Sequence, residues 1–274
     1  MLETKDLTIR FGGHVAVNSV SCAFAPGTLT AIVGPNGAGK TTYFNLISGQ
    51  LKASAGTVSL DGQLLSGLPA SARTRAGLGR AFQLTNLFPN LTVLENVRLA
   101  VQATREGAHR RGLNLWSIWS DHRALTERAD RILAEVALKA KEHATVASLP
   151  HGDQRKLEVA LLMALEPKVF MFDEPTAGMN AGEAPVILDL IRKLKQDKSK
   201  TILLVEHKMD VVRELADRII VLHNGTLVAD GNPAEVIASP IVQEAYLGVS
   251  VDAGNEREAA PPPPQLRVVN GSGR

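Results

Sequence analysis

The chain has 274 residues, 45% hydrophobic and 21% charged, with a single cysteine, and its 30 Lys and Arg nearly balance 28 Asp and Glu. That length can bury the core of one large domain or two small ones, and the composition excludes a fibrous or wholly disordered chain. A net charge of +2 leaves no broad basic field, so no nucleic-acid partner is expected.

The first residues, Met1-Leu2-Glu3-Thr4-Lys5-Asp6, are charged and lack the apolar run of a signal peptide, so the chain is expected to stay in the cytosol. Leu7, Ile9 and Phe11 alternate with polar residues, the pattern of a half-buried strand. Leu29–Val33 is a continuous apolar run ending at Gly34, which suits a strand buried on both faces. A helix is predicted over Lys40–Ser48, stopped by Gly49. Val58 and Leu60 then run into the turn pair Asp61-Gly62.

Residues 85–165 read as mainly helical, with Leu125, Ala129, Ile132, Leu133 and Val136 on one face. Val169–Phe172 is a second apolar strand and ends in two acids, Asp173 and Glu174. The helix after it places Val186, Ile187, Leu190, Ile191 and Leu194 together. A third apolar strand, Thr201–Val205, leads to Glu206-His207. Ile219–His223 and Thr226–Ala229 flank Asn224-Gly225, a two-residue hairpin signal. Asn232-Pro233-x-Glu235 carries an N-cap, a proline at the first helical position and a Glu two residues further on. From 249 to 274 the chain holds Pro261–Pro264 and no apolar period, and a disordered Pro-rich tail is expected. The longest apolar runs fall far short of the roughly 20 residues of a membrane span. Cys22 fits no disulfide or zinc pattern and reads as a small buried residue.

The chemistry concentrates at strand ends. Gly34-Pro35-Asn36-Gly37-Ala38-Gly39-Lys40-Thr41 is a strand, then G-x-x-x-x-G-K-[ST], then a helix. Glycines let successive backbone N–H groups curl inward onto phosphate oxygens, and the helix aims its positive end at the same anion. Lys40 supplies a point charge to the β- and γ-phosphates, and the Thr41 hydroxyl can ligate Mg²⁺. Asp173 sits where a strand delivers an acid to the carboxyl edge of a sheet, suited to hold Mg²⁺ through its water shell. Glu174 can polarise an attacking water as general base. His207 reads either as a structural hydrogen-bonder or as a contact to the γ-phosphate. Phe11 is either core or a flat face for a purine, and Gln83 is either an ordinary surface residue or part of the site.

In order, Phe11, Gly34–Thr42, Gln83, Leu149–Gln154, Val169–Glu174 and His207 resemble an ABC-type ATPase subunit over about residues 1–248. Phe11-Gly12-Gly13, Gly79-Arg80-Ala81-Phe82-Gln83 and Ala177-Gly178-Met179-Asn180 are similar to the longer ATPase of bacterial branched-chain amino-acid importers. The resemblance implies an α/β fold with a P-loop NTPase (RecA-like) core, an antiparallel β subdomain and an inserted α-helical subdomain at about 85–165. It implies ATP and Mg²⁺ as cofactors, with Phe11 stacking on adenine and Gly34, Pro35, Asn36, Gly37, Ala38, Gly39, Lys40, Thr41 and Thr42 cradling phosphates. Thr41, Gln83 and Asp173 would serve the metal. Glu174 would be the base and His207 the switch.

The family works as a head-to-tail dimer, so Gly152 and Gln154 would act in trans on the other subunit's ATP. The implied partners are a second ATPase subunit, identical or not, two integral membrane permease subunits and, indirectly, a periplasmic substrate-binding protein. The implied location is peripheral, at the cytoplasmic face of the bacterial inner membrane. Branched-chain amino acids are the default cargo. Urea, amides or aromatic acids are alternatives, as is a non-transport ABC ATPase.

One departure stands out. Leu149-Pro150-His151-Gly152-Asp153 replaces the family's Leu-Ser-Gly-Gly-Gln, so Pro150 removes a serine hydroxyl. Two outcomes are weighed: a harmless proline at the first helical position, or a composite site that turns over slowly while the site carried by this chain hydrolyses normally. Leu84, Leu87, Phe88, Leu91 and Val93 read as subdomain core or as a groove for a permease helix. The Arg- and Trp-rich stretch 105–123 reads as an interfacial membrane patch or a locally packed insertion.

Overall fold

In the computed structural model the chain is described over residues 1–81, 87–105, 123–179, 182–240 and 242–243. Gln83 and Leu84, most of the Arg- and Trp-rich stretch, and the Pro-rich tail lie outside the described residues. In chain order the elements are β1 (Leu2–Phe11), β2 (His14–Phe24), β3 (Leu29–Val33), α1 (Lys40–Ser48), β4 (Ala55–Leu60), β5 (Gln63–Leu64), α2 (Ala70–Ala76), β6 (Leu78–Ala81), α3 (Val93–Arg105), α4 (Arg123–Glu135), α5 (His151–Leu165), β7 (Val169–Asp173), α6 (Ala184–Gln196), β8 (Thr201–Val205), α7 (Met209–Leu215), β9 (Arg218–His223), β10 (Thr226–Gly231) and α8 (Pro233–Ala238). No helix among the described residues is long and apolar enough to cross a membrane.

The elements fall into two compact units, Met1–Ala76 with the chain from Thr201 onward, and Gly77–Lys200. The first unit contains an antiparallel sheet in the order β2-β1-β4-β5. It also contains β3 between two parallel neighbours, β8 and β9, with β10 antiparallel on β9. Every residue of β3 and β8 is buried, as strands covered on both faces require. Ala31 and Val33 of β3 join Ile219 and Val221 of β9, Val212 of α7 and Val236 of α8 in one apolar cluster. The β9–β10 turn uses Asn224 and Gly225 at φ 48° and 75°, the left-handed pair of a tight hairpin. Asn232 caps α8, its side chain accepting from the Ala234 N–H at 2.9 Å.

Helix α1 ends as its sequence requires, with Gly49 in the left-handed conformation at φ 82°. A side chain there would lie 2.6 Å from Nε of Arg73, which occupies the space beside the helix end. Arg73 Nη1 donates to the carbonyls of Leu46 and Ile47 at 2.8 and 2.7 Å, and Nε donates to Leu68 at 3.1 Å. A buried cation thus satisfies the negative end of this helix.

In the second unit β6 and β7 pair in parallel, and α3, α4 and α5 pack on one another. Leu125, Ala129, Ile132, Leu133 and Val136 are all buried. Thr92 and Glu95 form a capping box ahead of α3, with the Glu95 carboxylate accepting from the Thr92 N–H at 2.7 Å and the Thr92 hydroxyl at 2.8 Å.

Candidate functional site

In the first unit the loop 34–39 joins β3 to α1, and its shape is enforced by what it touches. Gly34 has φ 150°, and a Cβ on it would stand 2.1 Å from the Leu222 carbonyl oxygen. Gly39 has φ 95° and would bring a Cβ within 2.5 Å of the Ala16 carbonyl oxygen. Neighbouring strands therefore press on the loop backbone, and only glycine fits. The β9–β10 turn fixes it further: the Gly225 N–H donates to the Ala38 carbonyl at 3.0 Å, and the Asn18 N–H donates to the Gly225 carbonyl at 2.8 Å.

Lys40 is the first residue of α1 and is 91% buried on the relative scale, its exposure being 9%. Its Nζ donates to the carbonyls of Gly34 at 2.7 Å and Pro35 at 2.9 Å. The ammonium lies inside the curl of its own loop, where phosphate oxygens can take over from the carbonyls. Thr41 is exposed and Thr42 half-buried. The Thr41 hydroxyl and, in the second unit, the Asp173 carboxylate are each oxygen donors of the hard kind that Mg²⁺ takes. Phe11 ends β1 with half of its surface exposed. A core role for it is thereby replaced by a free aromatic face.

Glu206 and His207 follow β8. Glu206 is fully buried, and its carboxylate accepts from the backbone N–H groups of His207 at 2.9 Å and Lys208 at 3.2 Å. The turn is thus pinned by a carboxylate that the sequence reading passed over. The His207 side chain is 53% exposed, with Nδ1 3.7 Å from the Glu206 carboxylate.

In the second unit Asp173 closes β7 and Glu174 follows at φ 48°, a left-handed conformation that a non-glycine residue adopts at a cost. The Glu174 carbonyl accepts from the Ala177 N–H at 3.0 Å, so the acid sits at the corner of a tight turn. Asp173 Oδ2 accepts from Arg80 Nη2 at 2.7 Å. Both side chains are nearly buried, at 7% and 10% exposure. Burial lowers the guanidinium's pKa from its usual range, against the opposing pull of Asp173.

The signature stretch leads into α5. The structure corrects one expectation: Pro150, at φ −56° and ψ 154°, is the N-cap residue rather than the first helical residue, which is His151. Its carbonyl accepts from the Asp153 and Gln154 N–H groups at 3.0 and 3.1 Å. Proline meets the backbone demands of that position but supplies no capping oxygen. Gln154 Nε2 donates back to the Leu149 carbonyl at 3.0 Å. Burial raises the Asp153 pKa, but hydrogen bonds from Lys141 and Lys156 outweigh this and hold its carboxyl below the usual value. Gly152 is buried, and a Cβ on it would lie 2.2 Å from the Glu183 carboxylate. The side chain of Glu183 therefore rests against the first turn of α5, a contact that sequence reading missed.

A family model described as "ABC transporter" matches residues 17–177, more than half of the chain. A second, described as "Branched-chain amino acid ATP-binding cassette transporter", matches residues 226–252. The chain is 39% identical over 252 residues to the high-affinity branched-chain amino acid transport ATP-binding protein LivG of Escherichia coli strain K12, covering 90% of this chain and 98% of that protein. Against BraF of Pseudomonas aeruginosa, of the same printed description, identity is 37% with the same coverage. Among solved structures, the ADP conformation of the ATP-binding cassette MJ1267 superposes with a TM-score of 0.74 at 29% identity, covering 91% of this chain and 99% of that one. A dimeric post-hydrolysis state of the cassette MJ0796, bound to ADP and Pi, gives 0.72 at 26% identity, covering 85% and 99%.

Proposed function

From the premise that the chain belongs to the ABC transporter family of ATP-binding subunits, we propose that it is the ATP-hydrolysing subunit of a bacterial importer of branched-chain amino acids. The observation that carries the ATPase reading is the loop 34–39, held in its curl by β2, β9 and the Gly225 turn with Lys40 at its centre. The cargo rests on the 39% identity to LivG over nearly all of that protein's length. The reading assigns residues 1–248 to one ATPase domain, with the packed helices α3–α5 as its helical subdomain.

ATP enters with its phosphates on the loop amides of residues 36–39 and on Lys40, whose Nζ leaves the Gly34 and Pro35 carbonyls. The exposed Phe11 ring takes the adenine face, and Thr42 adds a contact to the α-phosphate. Thr41, Asp173 and Gln83 serve Mg²⁺, which when bound neutralises charge on the β- and γ-phosphates. Glu174 accepts a proton from water as the water oxygen bonds to the γ-phosphorus, and the bond from that phosphorus to the bridging oxygen breaks. His207, on the turn pinned by Glu206, orients that water. Gly152 and Gln154 close the ATP site of a second ATPase subunit, and closure and opening move two permease subunits through a difference in affinity for ATP between the two states. The chain works peripherally at the cytoplasmic membrane face.

Reconstitution tests the whole reading. Proteoliposomes containing this chain, its ATPase partner and both permease subunits are given labelled leucine and a binding protein. ATP-dependent uptake that disappears with Lys40→Met supports it. Hydrolysis without leucine uptake moves the cargo to urea, amides or aromatic acids, and a complex that hydrolyses no ATP overturns the assignment.

A further inference from the structure

We infer that Arg80 is a positioning residue that acts as a built-in stand-in cation for Asp173, and so weakens the hold of this site on Mg²⁺. The inference rests on the assignment of Asp173 to the metal.

The placement follows from sheet register. Arg80 of β6 lies opposite Met171 of β7, and side chains two residues apart on a strand share a face. Asp173 is therefore one step further along the same face, within reach of the long Arg80 side chain. The other face of β6 is clamped. A Cβ on Gly79 would stand 2.4 Å from the Leu162 side chain and 2.6 Å from Pro167. The strand cannot slide toward that packing, so the guanidinium is delivered to one place.

Chemistry then decides what the pair does. A nearly buried carboxylate kept ionised for a metal is costly unless a cation compensates it. Arg80 does so at 2.7 Å through Oδ2, in a charge-assisted hydrogen bond. Asp173 is gripped through one oxygen, so its second can serve a divalent cation while the pair persists. Two cations then share one carboxylate in a low-dielectric setting, where their repulsion is strong. Arg80 orients the acid for Mg²⁺ and at the same time discounts its charge. The result is a carboxylate that is always correctly placed and never binds the metal so tightly that product release with it is blocked.

The test reads Mg²⁺, not turnover. In the assembled complex carrying Glu174→Gln, affinity for a fluorescent ATP analogue is titrated against Mg²⁺ for Arg80, Arg80→Gln and Arg80→Lys, with melting curves recorded for each. Arg80→Gln is expected to lower the Mg²⁺ midpoint by about tenfold or more, with analogue affinity in EDTA unchanged. Arg80→Lys keeps a charge but not the planar reach and is expected to fall between. A midpoint that is unchanged or raised in a folded Arg80→Gln overturns the inference. If that variant lacks a melting transition, the same criterion applies to Arg80→Lys. Absence of any Mg²⁺-dependent binding in the parent complex would instead refute the metal assignment itself.

Discussion

Gly37 and Gly39 lie two residues apart in one loop and share a left-handed backbone, at φ 80° and 95°. They differ in surroundings, because a Cβ at Gly37 meets nothing within 4 Å while at Gly39 it would lie 2.5 Å from the Ala16 carbonyl oxygen and 3.4 Å from Gly225 Cα. Alanine in the left-handed region costs about 1–2 kcal/mol at either position, and the stiffer unfolded chain returns about 0.4–1 kcal/mol. Gly37→Ala should therefore cost about 1 kcal/mol. Gly39→Ala adds an overlap with strand backbone that cannot rotate away, worth about 1–3 kcal/mol more by analogy with overpacking. The expected gap between the two variants is about 2 kcal/mol, or roughly 4–8 °C in Tm for a chain of this size. Calorimetry without nucleotide measures it directly. Equal Tm values would refute the argument that β2 sets the loop's shape. Both variants should also bind ATP more weakly, since an added methyl obstructs the backbone approach to phosphate.

Three further outcomes are expected. Glu174→Gln should retain ATP binding while lowering kcat by at least about a hundredfold, as loss of a general base does; single-turnover measurement separates the two, and unaltered hydrolysis would remove Glu174 from its role. Pro150→Ser gains about 1 kcal/mol from a capping hydroxyl and loses about 0.4–1 kcal/mol of proline stiffness, so Tm should barely move. Its ATPase rate in the dimer then decides between the two readings of the signature: a several-fold rise marks a slow composite site, and no change marks a harmless variant. Burial, opposed by a hydrogen bond from Tyr43, pushes the Cys22 thiol from 9.0 up to about 11. Because the folded value lies above the unfolded one, its contribution is intact below pH 9 and is lost as pH rises toward 11. About 2 kcal/mol should be gone by roughly pH 10.5, and buried Tyr43 shifts in the same direction. Urea titrations from pH 8 to 10.5 should show a flatter profile for Cys22→Ala, and parallel profiles would contradict the assignment.

Much of this protein was decided locally and could be read from the chain. Gly34 to Thr41, with an apolar run before and a helix after, marks the loop between β3 and α1 as the candidate phosphate loop because its glycines, lysine and hydroxyl are neighbours in sequence, although β2 and β9 set its shape. The ends of β3, α1 and β8 fall where the apolar runs and Gly49 place them. Asn224-Gly225 and Asn232-Pro233 likewise fix a turn and a cap with their own backbone preferences.

Other elements escaped because their signal is broken or distant. The strand β2 buries Val17, then Val20, Cys22 and Phe24, with Ser19 at φ 48° between. The irregularity changes the parity of the alternation, so no period of two survives to be seen. In β1 the same happens at Asp6, between Leu2 and Thr4 on one side and Leu7 and Ile9 on the other, so only its second half, Leu7 to Phe11, reads as a strand. The short strand β6 contains Gly79 and Arg80 and carries no β signal at all. It exists because β7 pairs with it. For the same reason a role can be read from the sequence for Asp173 but not for Arg80, for His207 but not for the buried Glu206 that pins its turn, and for Gly152 but not for Glu183 beside it. The chemistry that residues carry is written in their order. Which charge compensates which, and which backbone presses on which glycine, depends on chain segments far apart in sequence, and only the folded structure brings those together.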